Sequence, residues 1–475
     1  METTTQALTA GNDVPRAGRR SWANKPVPSR AELLAAGRSL RARCSRKSHA
    51  AWTPPADRAD PVELLEESSR GRIPELLPIR YGRMMQSPFS FFRGAAAVMA
   101  ADLARTPVTG LRVQACGDCH LVNFGGFATP ERRLIFDIND FDETLPGPWE
   151  WDVKRLAASF AIACAHNGFG KASGRDAAQT CARSYRERLA EFAQMPALEV
   201  WYARIDVKAL LPHIQDQAAR KRVRRQLAKT QAHTLAEDFP KLVEEVDGQP
   251  TIKDHPPLVY HWSGRGNEAF EAQVVEAFEG YRNTLQDDRP ALVDRYQIKD
   301  IALKVVGVGS VGTWCGVVLL MAGEADPLFL EVKEARASVL EPFAGKSAYA
   351  NRGQRVVNGQ RLMQSASDLF LGWTQIDDGR HFYVRQLRDM KIKPMVEIFS
   401  PSLMEQYAAL CGWALARAHA RSGDAATLSG YLGKSDSFDT ALASFALAYA
   451  DQNEHDHDAL RKAVRQGRVE AVTEP

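Results

Sequence analysis

The sequence lacks a long apolar run and a strong excess of charge of either sign. Its best apolar stretch, TWCGVVLLMAG at residues 313–323, has about half the length that a membrane span needs. The formal net charge is +3, and the basic run RKRVRR at residues 220–225 has no aromatic residues interleaved for stacking on bases. We therefore expect no membrane and no nucleic acid among its partners, and the sequence does not indicate an oligomeric state.

Cysteine is also scarce. The seven cysteines, at positions 44, 116, 119, 164, 181, 315 and 411, are odd in number and scattered, which argues against a disulfide framework and suits reduced thiols. The basic residues of the amino terminus are not followed by an apolar segment of signal-peptide length, so the sequence predicts no export. Together these two features predict a cytoplasmic protein.

Length and patterning predict a two-lobed α+β chain. With 475 residues, of which 45% are hydrophobic, the chain is too long for one ordinary core. Residues 1–70 show no sustained periodicity and are predicted to form a largely disordered tail with one short helix around RAELLAAGRSLRARC, residues 30–44. Residues 71–295 are predicted to form a mainly helical lobe, residues 296–395 a β-rich lobe, and residues 396–475 C-terminal helices that pack on the helical lobe.

The stretch ACGDCHLVNFGGF, residues 115–127, fits three kinds of chemistry. C-x-x-C-H is the attachment motif of c-type haem, Cys116 and Cys119 alone fit a redox pair or half a zinc site, and Asp118 with Asn123 fits the D-x-x-x-x-N catalytic loop of kinases. Covalent haem normally belongs to exported proteins, and the sequence offers no second C-x-x-C to complete a zinc site. The context therefore favours the kinase loop, in which Asp orients or deprotonates the acceptor hydroxyl and Asn binds Mg²⁺.

A second acidic motif follows at the end of an apolar strand. LIFDINDFDET places Asp140-Phe141-Asp142 where kinases carry the metal-binding aspartate of D-F-G. A hard cation held between phosphates needs such oxygen ligands. A predicted hairpin, GGFATPERR, joins this motif to the catalytic loop in the order that kinases use, which favours one joint site over an acidic surface turn.

The glycine motif VGVGSVGTW has two interpretations. Gly307, Gly309 and Gly312 form G-x-G-x-x-G, whose third glycine opens a helix in dinucleotide-binding folds. In kinases the glycines form a turn between two strands, and a lysine on the following strand reaches the phosphates. Here β-rich sequence follows, with Lys333 inside the strand-like FLEVK, so the kinase arrangement is favoured over a structural hairpin with a surface lysine.

These motifs, together with SPFSFFRGAA, FDINDFDETLPGPWEWDVKRLAAS and GQRLMQSASDLFLGW, resemble the bacterial family known as domain of unknown function 2252. The likeness runs from Pro74 to Asp456, and the family is grouped with the protein-kinase-like superfamily. Residues 117–152 are also similar to aminoglycoside phosphotransferases, whose pattern is G-D-x-H-x-x-N, then D-F, then a further aspartate that Asp152 matches here. The resemblance implies a kinase-like fold that binds ATP and Mg²⁺ between its two lobes.

The motifs and the resemblance together predict a role for each matching residue. Asp118 is the expected catalytic base, His120 matches the histidine of the phosphotransferase pattern, and Asp152 is expected to be a structural aspartate. The expected metal ligands are Asn123, Asp140 and Asp142. The expected nucleotide-binding residues are Arg93, Gly307, Gly309, Ser310, Gly312 and Lys333.

The chain departs from the kinase pattern in two respects. The glycine motif and Lys333 follow the catalytic loop instead of preceding it, so the motif order predicts a circular permutation. The helix after Lys333 carries Gln360 and Arg361 where the glutamate partner of the lysine is expected, and the nearest acid is Glu341. Arg93, in the apolar context FFRGA, is either a buried arginine paired with a carboxylate or a phosphate contact.

We therefore expect an ATP- and Mg²⁺-dependent phosphotransferase that acts on a hydroxyl acceptor, whose identity the sequence does not reveal. The missing helix glutamate keeps a noncatalytic nucleotide-binding pseudokinase or scaffold protein as the main alternative. A dinucleotide-dependent oxidoreductase built on the glycine motif and a c-type cytochrome are the other two alternatives.

Overall fold

The chain folds into a mixed α+β structure, here a computed structural model. The structure describes residues 27–232, 239, 241–261, 267–305, 307–324, 326–387 and 391–472. Several helices begin where a capping side chain precedes a proline, as at Asp60, Ser87 and Ser400. This pairing is favourable because the capping side chain accepts a hydrogen bond from a free backbone N–H, while proline at the first helical position has no N–H that needs a partner.

Helices make up the larger part of the described chain. The α-helices are α1 (Arg30–Ser39), α2 (Pro61–Ser69), α3 (Leu77–Met85), α4 (Pro88–Gly94), α5 (Ala96–Leu103), α6 (Trp149–His166), α7 (Lys171–Phe192), α8 (Ala197–Tyr202), α9 (Val207–Leu210), α10 (Gln217–Ala232), α11 (Asn267–Arg282), α12 (Pro290–Val293), α13 (Glu341–Ala344), α14 (Arg352–Met363), α15 (Pro401–Ser422), α16 (Ala425–Leu432) and α17 (Ser437–Arg465). Short 3₁₀ helices lie at Leu40–Ala42, Arg46–Ala50, Pro74–Leu76, Leu121–Asn123, Leu211–His213 and Val396–Ile398.

The strands form four sheets. Their bounds are β1 (Arg112–Ala115), β2 (Phe124–Ala128), β3 (Leu134–Ile138), β4 (Leu145–Pro148), β5 (Ile205–Asp206), β6 (Val243–Val246), β7 (Gln249–Ile252), β8 (Val259–Tyr260), β9 (Gln297–Lys304), β10 (Cys315–Met321), β11 (Pro327–Glu334), β12 (Gly372–Gln375) and β13 (His381–Gln386). The largest sheet has the antiparallel order β12-β13-β11-β10-β9-β8. The smaller sheets are β2-β3-β5, β1-β4 and β6-β7.

The six-stranded sheet is apolar on both faces because each face is covered. Alternate residues point to opposite faces, so Val318 and Leu330 pack under α11, whose Tyr281 lies in the same core. On the other face Leu319 and Phe329 pack with residues of the β6-β7 hairpin. The predicted antiparallel sheet after residue 296 is therefore confirmed, with Lys333 on β11.

The helical part is built around α6, which is buried along almost its whole length. Helices α7, α15 and α17 surround it, so the C-terminal helices pack directly on the helices that follow the catalytic-loop region. Trp149 at the start of α6 stacks on Tyr185 of α7, with ring centroids 5.8 Å apart. This core fixes the end of α6 that carries Asp152.

The prediction of a largely disordered tail over residues 1–70 is wrong for its described part. Residues 1–26 lie outside the described residues. The short helix predicted within residues 30–44 is confirmed as α1, which begins with a capping box built on Ser29, and the chain beyond it is also ordered, with α2 at Pro61–Ser69. Arg41 donates to the backbone carbonyl of Tyr431 at 2.8 Å, which fixes this segment against α16. Anchors so distant in sequence leave no local periodicity, so the sequence did not indicate order beyond the one helix.

Within the described ranges, no helix combines the length and the apolar character that a membrane crossing requires.

Candidate functional site

A pocket of about 950 Å³ opens between the turn that joins β9 to β10, the N-terminal helices and the loops around β2 and β3. Nine of the eleven predicted site residues line it: Arg93, Asp118, His120, Asn123, Asp140, Asp142, Gly307, Gly309 and Ser310. Lys333 reaches the same region through a contact with Asp142. The structure thus brings together motifs that are far apart in the chain.

The loop that starts the site is fixed by Asp152 of α6. Its carboxylate accepts from the backbone N–H groups of Cys116, at 2.6 Å, and Gly117, at 3.0 Å. Gly117 has φ +85°, and a side-chain carbon added there would overlap the carbonyl oxygen of Glu143. Asp152 therefore shapes the loop and does not line the pocket, as expected of a structural aspartate.

The two cysteines of this loop are packed into the core. Cys116 is 1% exposed and Cys119 is fully buried. Burial raises the pKa of the Cys119 thiol well above its ordinary value, so the thiolate that binds metals is disfavoured. No group of three or more His, Cys, Asp or Glu side chains in the described ranges is arranged to hold a metal ion. Both cysteines are therefore core residues of the loop, and their packing lends no support to the haem and zinc interpretations.

Asp118 is held by a buried arginine. Arg155 of α6 donates from Nε to Asp118 Oδ1 at 2.6 Å and contacts the same oxygen through Nη2. Burial raises the pKa of Asp118, and Arg155 opposes that shift. Oδ2 has no hydrogen bond to the described residues and lies 3.8 Å from His120 Nε2, and Asp118 lines the pocket.

His120 is a neutral neighbour of Asp118. Its side chain is 5% exposed, and Nδ1 has no hydrogen-bond partner among the described residues. Burial lowers the pKa of His120 well below its ordinary value, and Arg155 and Arg93 lower it further. The imidazole therefore packs beside the carboxylate without carrying a charge at neutral pH.

Asn123 and Asp140 leave oxygens available for a cation. Asn123 Nδ2 donates to the backbone carbonyl of Asp118 at 2.8 Å, and its Oδ1 has no partner among the described residues. Asp140 Oδ1 accepts from the backbone N–H of Asp142 at 3.1 Å, and within the same ranges its Oδ2 has no hydrogen bond. A carboxylate and an amide oxygen in one pocket are the donor set that Mg²⁺ prefers, with phosphate and water completing its shell.

Both carboxylate oxygens of Asp142 are engaged by side chains of the six-stranded sheet. Lys333 Nζ contacts Asp142 Oδ2, and Tyr383 Oη donates to Asp142 Oδ1 at 2.7 Å. Burial would lower the pKa of Lys333, but Asp142, Tyr383 and Asp140 raise it well above its ordinary value. Asp142 is therefore the partner that sequence reasoning sought on the helix after β11, and Asp140 is the carboxylate with an uncommitted oxygen.

The helix after β11 contributes an arginine in place of the expected glutamate. Arg355 of α14 is 1% exposed and donates to the backbone carbonyl of Asp142 at 2.7 Å and to that of Thr144. Glu341 begins α13, one helix earlier, and makes no ion pair in the described structure. Sequence reasoning missed Arg355 because its partners are backbone atoms, which no motif spacing identifies.

The glycine motif forms a turn between two antiparallel strands. Gly307 and Gly312 have φ of +77° and +85°, values that favour glycine. Cys315 begins β10 three residues after Gly312, so the third glycine does not open a helix. The dinucleotide-binding interpretation of this motif is therefore wrong.

Arginines from the N-terminal segment hold this turn. Arg72 Nη1 donates to the carbonyls of Gly309 and Val311 at 2.8 and 2.6 Å, and Arg83 Nη1 donates to Gly307 at 2.7 Å. Sequence reasoning missed both arginines. The only signal was that Arg83, like Arg93, stands beside apolar residues of a short helix.

Arg93 itself is not paired with a carboxylate. It forms no ion pair or hydrogen bond through its side chain in the described structure, and Nε is buried without a partner. Its guanidinium carbon lies 6.0 Å from the ring centroid of Phe89. The interpretation of Arg93 as half of a buried ion pair is therefore wrong. Its position in the pocket wall agrees with the alternative interpretation, a contact to phosphate.

Glu143 is a further pocket residue that the motifs did not indicate. Its Oε2 accepts from the backbone N–H of Val339 at 2.7 Å. Burial raises the pKa of Glu143 to about 7, with Arg355 opposing the shift. An acid that is half protonated near neutral pH and lines a pocket is typical of functional sites, although structural networks produce the same effect.

Comparison with known proteins gives one match. Residues 72–463 match the family described as uncharacterized protein conserved in bacteria (DUF2252). Neither a curated protein nor a solved structure matches the chain. Since the match covers most of the chain and includes every predicted site residue, the chain belongs to this bacterial family.

Proposed function

We propose that this chain is an ATP- and Mg²⁺-dependent phosphotransferase that acts on a hydroxyl acceptor and has a circularly permuted kinase-like fold. The observation that carries the proposal is the contact between Lys333 and Asp142, which are 191 residues apart. It joins the strand–glycine turn–strand–lysine unit to the loop that contains Asp118, Asn123 and Asp140. Phosphoryl transfer needs these parts together because catalysis depends on positioning and charge neutralisation.

The path of the chain supports the permutation. In a phosphotransferase the helix equivalent to α15 leads directly into the catalytic loop. Here α15 ends at Ser422, whose Oγ accepts from the backbone N–H of Gln114 at 3.1 Å, next to the start of that loop. His419 of the same helix lies 3.2 Å from Asp152, which holds the loop. The end of α15 and the beginning of the loop are thus neighbours in space, as a permutation of the kinase order requires.

The residues present fit ATP and Mg²⁺. The uncommitted oxygens of Asn123 and Asp140 would hold the cation, and the backbone of the glycine turn would lie against the phosphates. Lys333 supplies a fixed positive charge beside Asp142. When bound, MgATP supplies the phosphoryl group and its cation neutralises the developing charge.

Asp118 is placed to act on the acceptor. Because Arg155 holds Oδ1, the carboxylate is fixed in one orientation with Oδ2 directed to the pocket. Oδ2 would accept the hydrogen bond of the acceptor hydroxyl and take its proton as transfer proceeds. Neutral His120 packs against this oxygen and limits its approach to water.

The alternative is a noncatalytic nucleotide-binding protein. Its support is specific: Asp142, one of the three predicted metal ligands, has both oxygens taken by Lys333 and Tyr383. On this alternative Asp142 is a structural link between the sheet and the loop. It predicts ATP binding that is independent of Asp118 and no turnover with any acceptor.

The proposal is tested by ATP turnover, with water or a panel of sugar, amino-alcohol and protein hydroxyls as acceptors. Asp118→Asn should lower the rate at least 100-fold and leave ATP affinity within about threefold of the wild type, since Asp118 acts on the acceptor. Asp287→Asn, an exposed aspartate outside the pocket, is the matched control. Equal rates for the wild type and Asp118→Asn would reject the role given to Asp118.

A further inference from the structure

The wall of the pocket carries four arginines. Arg72 and Arg80 come from the N-terminal segment, Arg93 from the end of α4, and Arg336 from the residues after β11. The motifs indicated only Arg93. Four separate positions of the fold therefore direct guanidinium groups to one cavity.

None of the four forms an ion pair with a carboxylate in the part of the chain that the structure describes, although Glu143 and Glu334 near Arg72, and Glu397 and Asp118 near Arg93, partly offset the cost of burying these charges. Arg72 donates only to backbone carbonyls, among them Gly309 and Val311. Arg80, which is 1% exposed, donates to serine hydroxyls and to the carbonyl of Gly94. A buried guanidinium without a counter-ion costs several kcal/mol unless something else supplies negative charge.

Part of that charge comes from the end of α2. Ser68 O accepts from Arg72 Nε at 3.1 Å and from Arg336 Nη1 at 3.0 Å, and Arg336 also contacts the carbonyl of Arg70. Carbonyls at a helix C-terminus carry partial negative charge, which stabilises nearby cations. This contribution is fractional, and Arg93, which has no hydrogen bond to any described residue, does not share in it.

Most carboxylates of the same pocket are engaged elsewhere. Glu334 accepts from the backbone N–H of Trp314 at 3.1 Å, while Asp140 keeps an oxygen without a partner among the described residues. Asp118 is held by Arg155 and Asp142 by Lys333, neither of which belongs to the wall. Glu143 accepts from the backbone of Val339. The wall is therefore a concentrated positive surface beside an acidic one, in a cavity large enough for a ligand.

We propose that Arg72, Arg80, Arg93 and Arg336 form a subsite for a phosphate group, separate from the Asn123 and Asp140 oxygens that suit a cation. Arginine matches phosphate because its planar fork donates two parallel hydrogen bonds to phosphate oxygens. The phosphate comes either from the far end of the donor's phosphate chain or from a phosphate that the acceptor carries. The subsite does not depend on catalysis and would exist in a noncatalytic protein.

The test uses inorganic tripolyphosphate without metal, followed by thermal unfolding and calorimetric titration. We expect it to raise the Tm of the wild type and to bind Arg93→Gln at least tenfold more weakly. Arg93→Gln should fold normally, because the removed group has no partner to leave unpaired. Arg188→Gln, an exposed arginine of α7 that pairs with Glu191, is the control and should bind as the wild type does.

If Arg93→Gln does not fold, a second variant tests the phosphate subsite. Arg336→Gln removes a wall guanidinium whose only described contacts are the carbonyls of Ser68 and Arg70. Equal affinity of tripolyphosphate for the wild type and the folded wall variant, or no binding to the wild type at millimolar concentration, would overturn the subsite.

The two sources of the phosphate are distinguished by adding ATP and Mg²⁺. If tripolyphosphate and MgATP compete, the wall holds the donor's phosphates; if their stabilising effects add, it holds a phosphate of the acceptor. Asp140→Ala separates this inference from the proposed function. That variant should lose the Mg²⁺-dependent part of ATP binding and retain metal-free tripolyphosphate binding.

Discussion

Lys333 and Asp142 form an ion pair between the six-stranded sheet and the loop that follows β3. Their side chains are 6% and 27% exposed, so the pair is shielded from water on most sides. Tyr383 completes it with a hydrogen bond to the second oxygen of Asp142. The sheet and the catalytic-loop region are thereby held in one arrangement around the pocket.

Removing the cation from this pair should weaken both stability and ligand binding. Lys333→Met leaves a largely buried carboxylate without its counter-ion, and we expect a loss of about 2 kcal/mol in the free energy of unfolding. ATP affinity should fall at least tenfold. Denaturant unfolding and calorimetric titration measure the two effects, and Lys299→Met, at an exposed position of β9, is the control. If Lys333→Met has the stability and the ATP affinity of the wild type, the pair contributes to neither property.

Gly117 should resist substitution more strongly than another glycine of the same backbone conformation. Gly117→Ala imposes a positive φ on alanine and also places a methyl group against the carbonyl of Glu143. Gly168 has φ +77° with nothing within 4 Å of an added side-chain carbon. Gly168→Ala should therefore cost about 1 kcal/mol and Gly117→Ala at least about 2 kcal/mol more. Equal losses in denaturant unfolding would mean that the loop moves to accommodate the methyl group.

The N-terminal segment should be a structural part of the helical body. Arg58 pairs with Asp102 at 2.8 Å and with Asp456 at 2.6 Å, and both carboxylates are nearly buried. Arg58→Met should lower the free energy of unfolding by about 3 to 5 kcal/mol, because two buried charges lose their partner. Arg105→Met breaks only an exposed pair with Asp57 and should change stability little. A loss no larger than that of Arg105→Met would restore the interpretation of this segment as a tail.

His49 should make stability depend on pH. It is fully buried, with its Nε2 2.6 Å from Tyr431 Oη, and burial followed by the charge of Lys154 lowers its pKa from 6.5 to about 3. Because the unfolded chain binds the proton more readily, this stability is intact above pH 6.5 and falls as the pH drops toward 3. We expect the free energy of unfolding to fall by about 2 kcal/mol between pH 6.5 and 5 from this group.

Denaturant unfolding at several pH values checks this dependence. His49→Gln should remove that part of the slope, whereas His213→Gln, at an exposed position, should keep it. If His49→Gln and the wild type lose stability in parallel between pH 6.5 and 5, His49 is protonated in the folded state and its low pKa is wrong.

Local patterns predicted the elements that carry the motifs. The glycine turn, the strand of Lys333 and the hairpin after Asn123 have signals within a few residues, such as alternation, glycine and β-branched side chains. In the described part of the predicted tail such signals indicated only the short helix α1, because Arg41 and Arg58 are satisfied by groups near the other end of the chain. Its structure depends on tertiary contacts that periodicity does not record.

The residues of the candidate site also fall into two groups, those that local motifs identify and those that only tertiary packing determines. Motif spacing identified Asp118, Asn123 and Asp140, whose proposed roles depend on their own side chains. It did not identify Arg155 or Arg355, whose role is to hold a loop, since their partners are fixed only by the packing of α6 and α14. Arg72, Arg80 and Arg336 of the wall were missed for the same reason, because they contact backbone carbonyls and come from separate segments.

The most direct test of the central claim is thermal unfolding of the wild type, Asp140→Ala and Asp287→Asn, each with and without millimolar ATP and Mg²⁺. A ligand that binds only the folded state raises the Tm by mass action. The account predicts that ATP with Mg²⁺ stabilises the wild type and Asp287→Asn, and that Asp140→Ala loses the Mg²⁺-dependent part of the shift. No shift in the wild type, or an undiminished shift in Asp140→Ala, would contradict a magnesium–nucleotide site in this pocket.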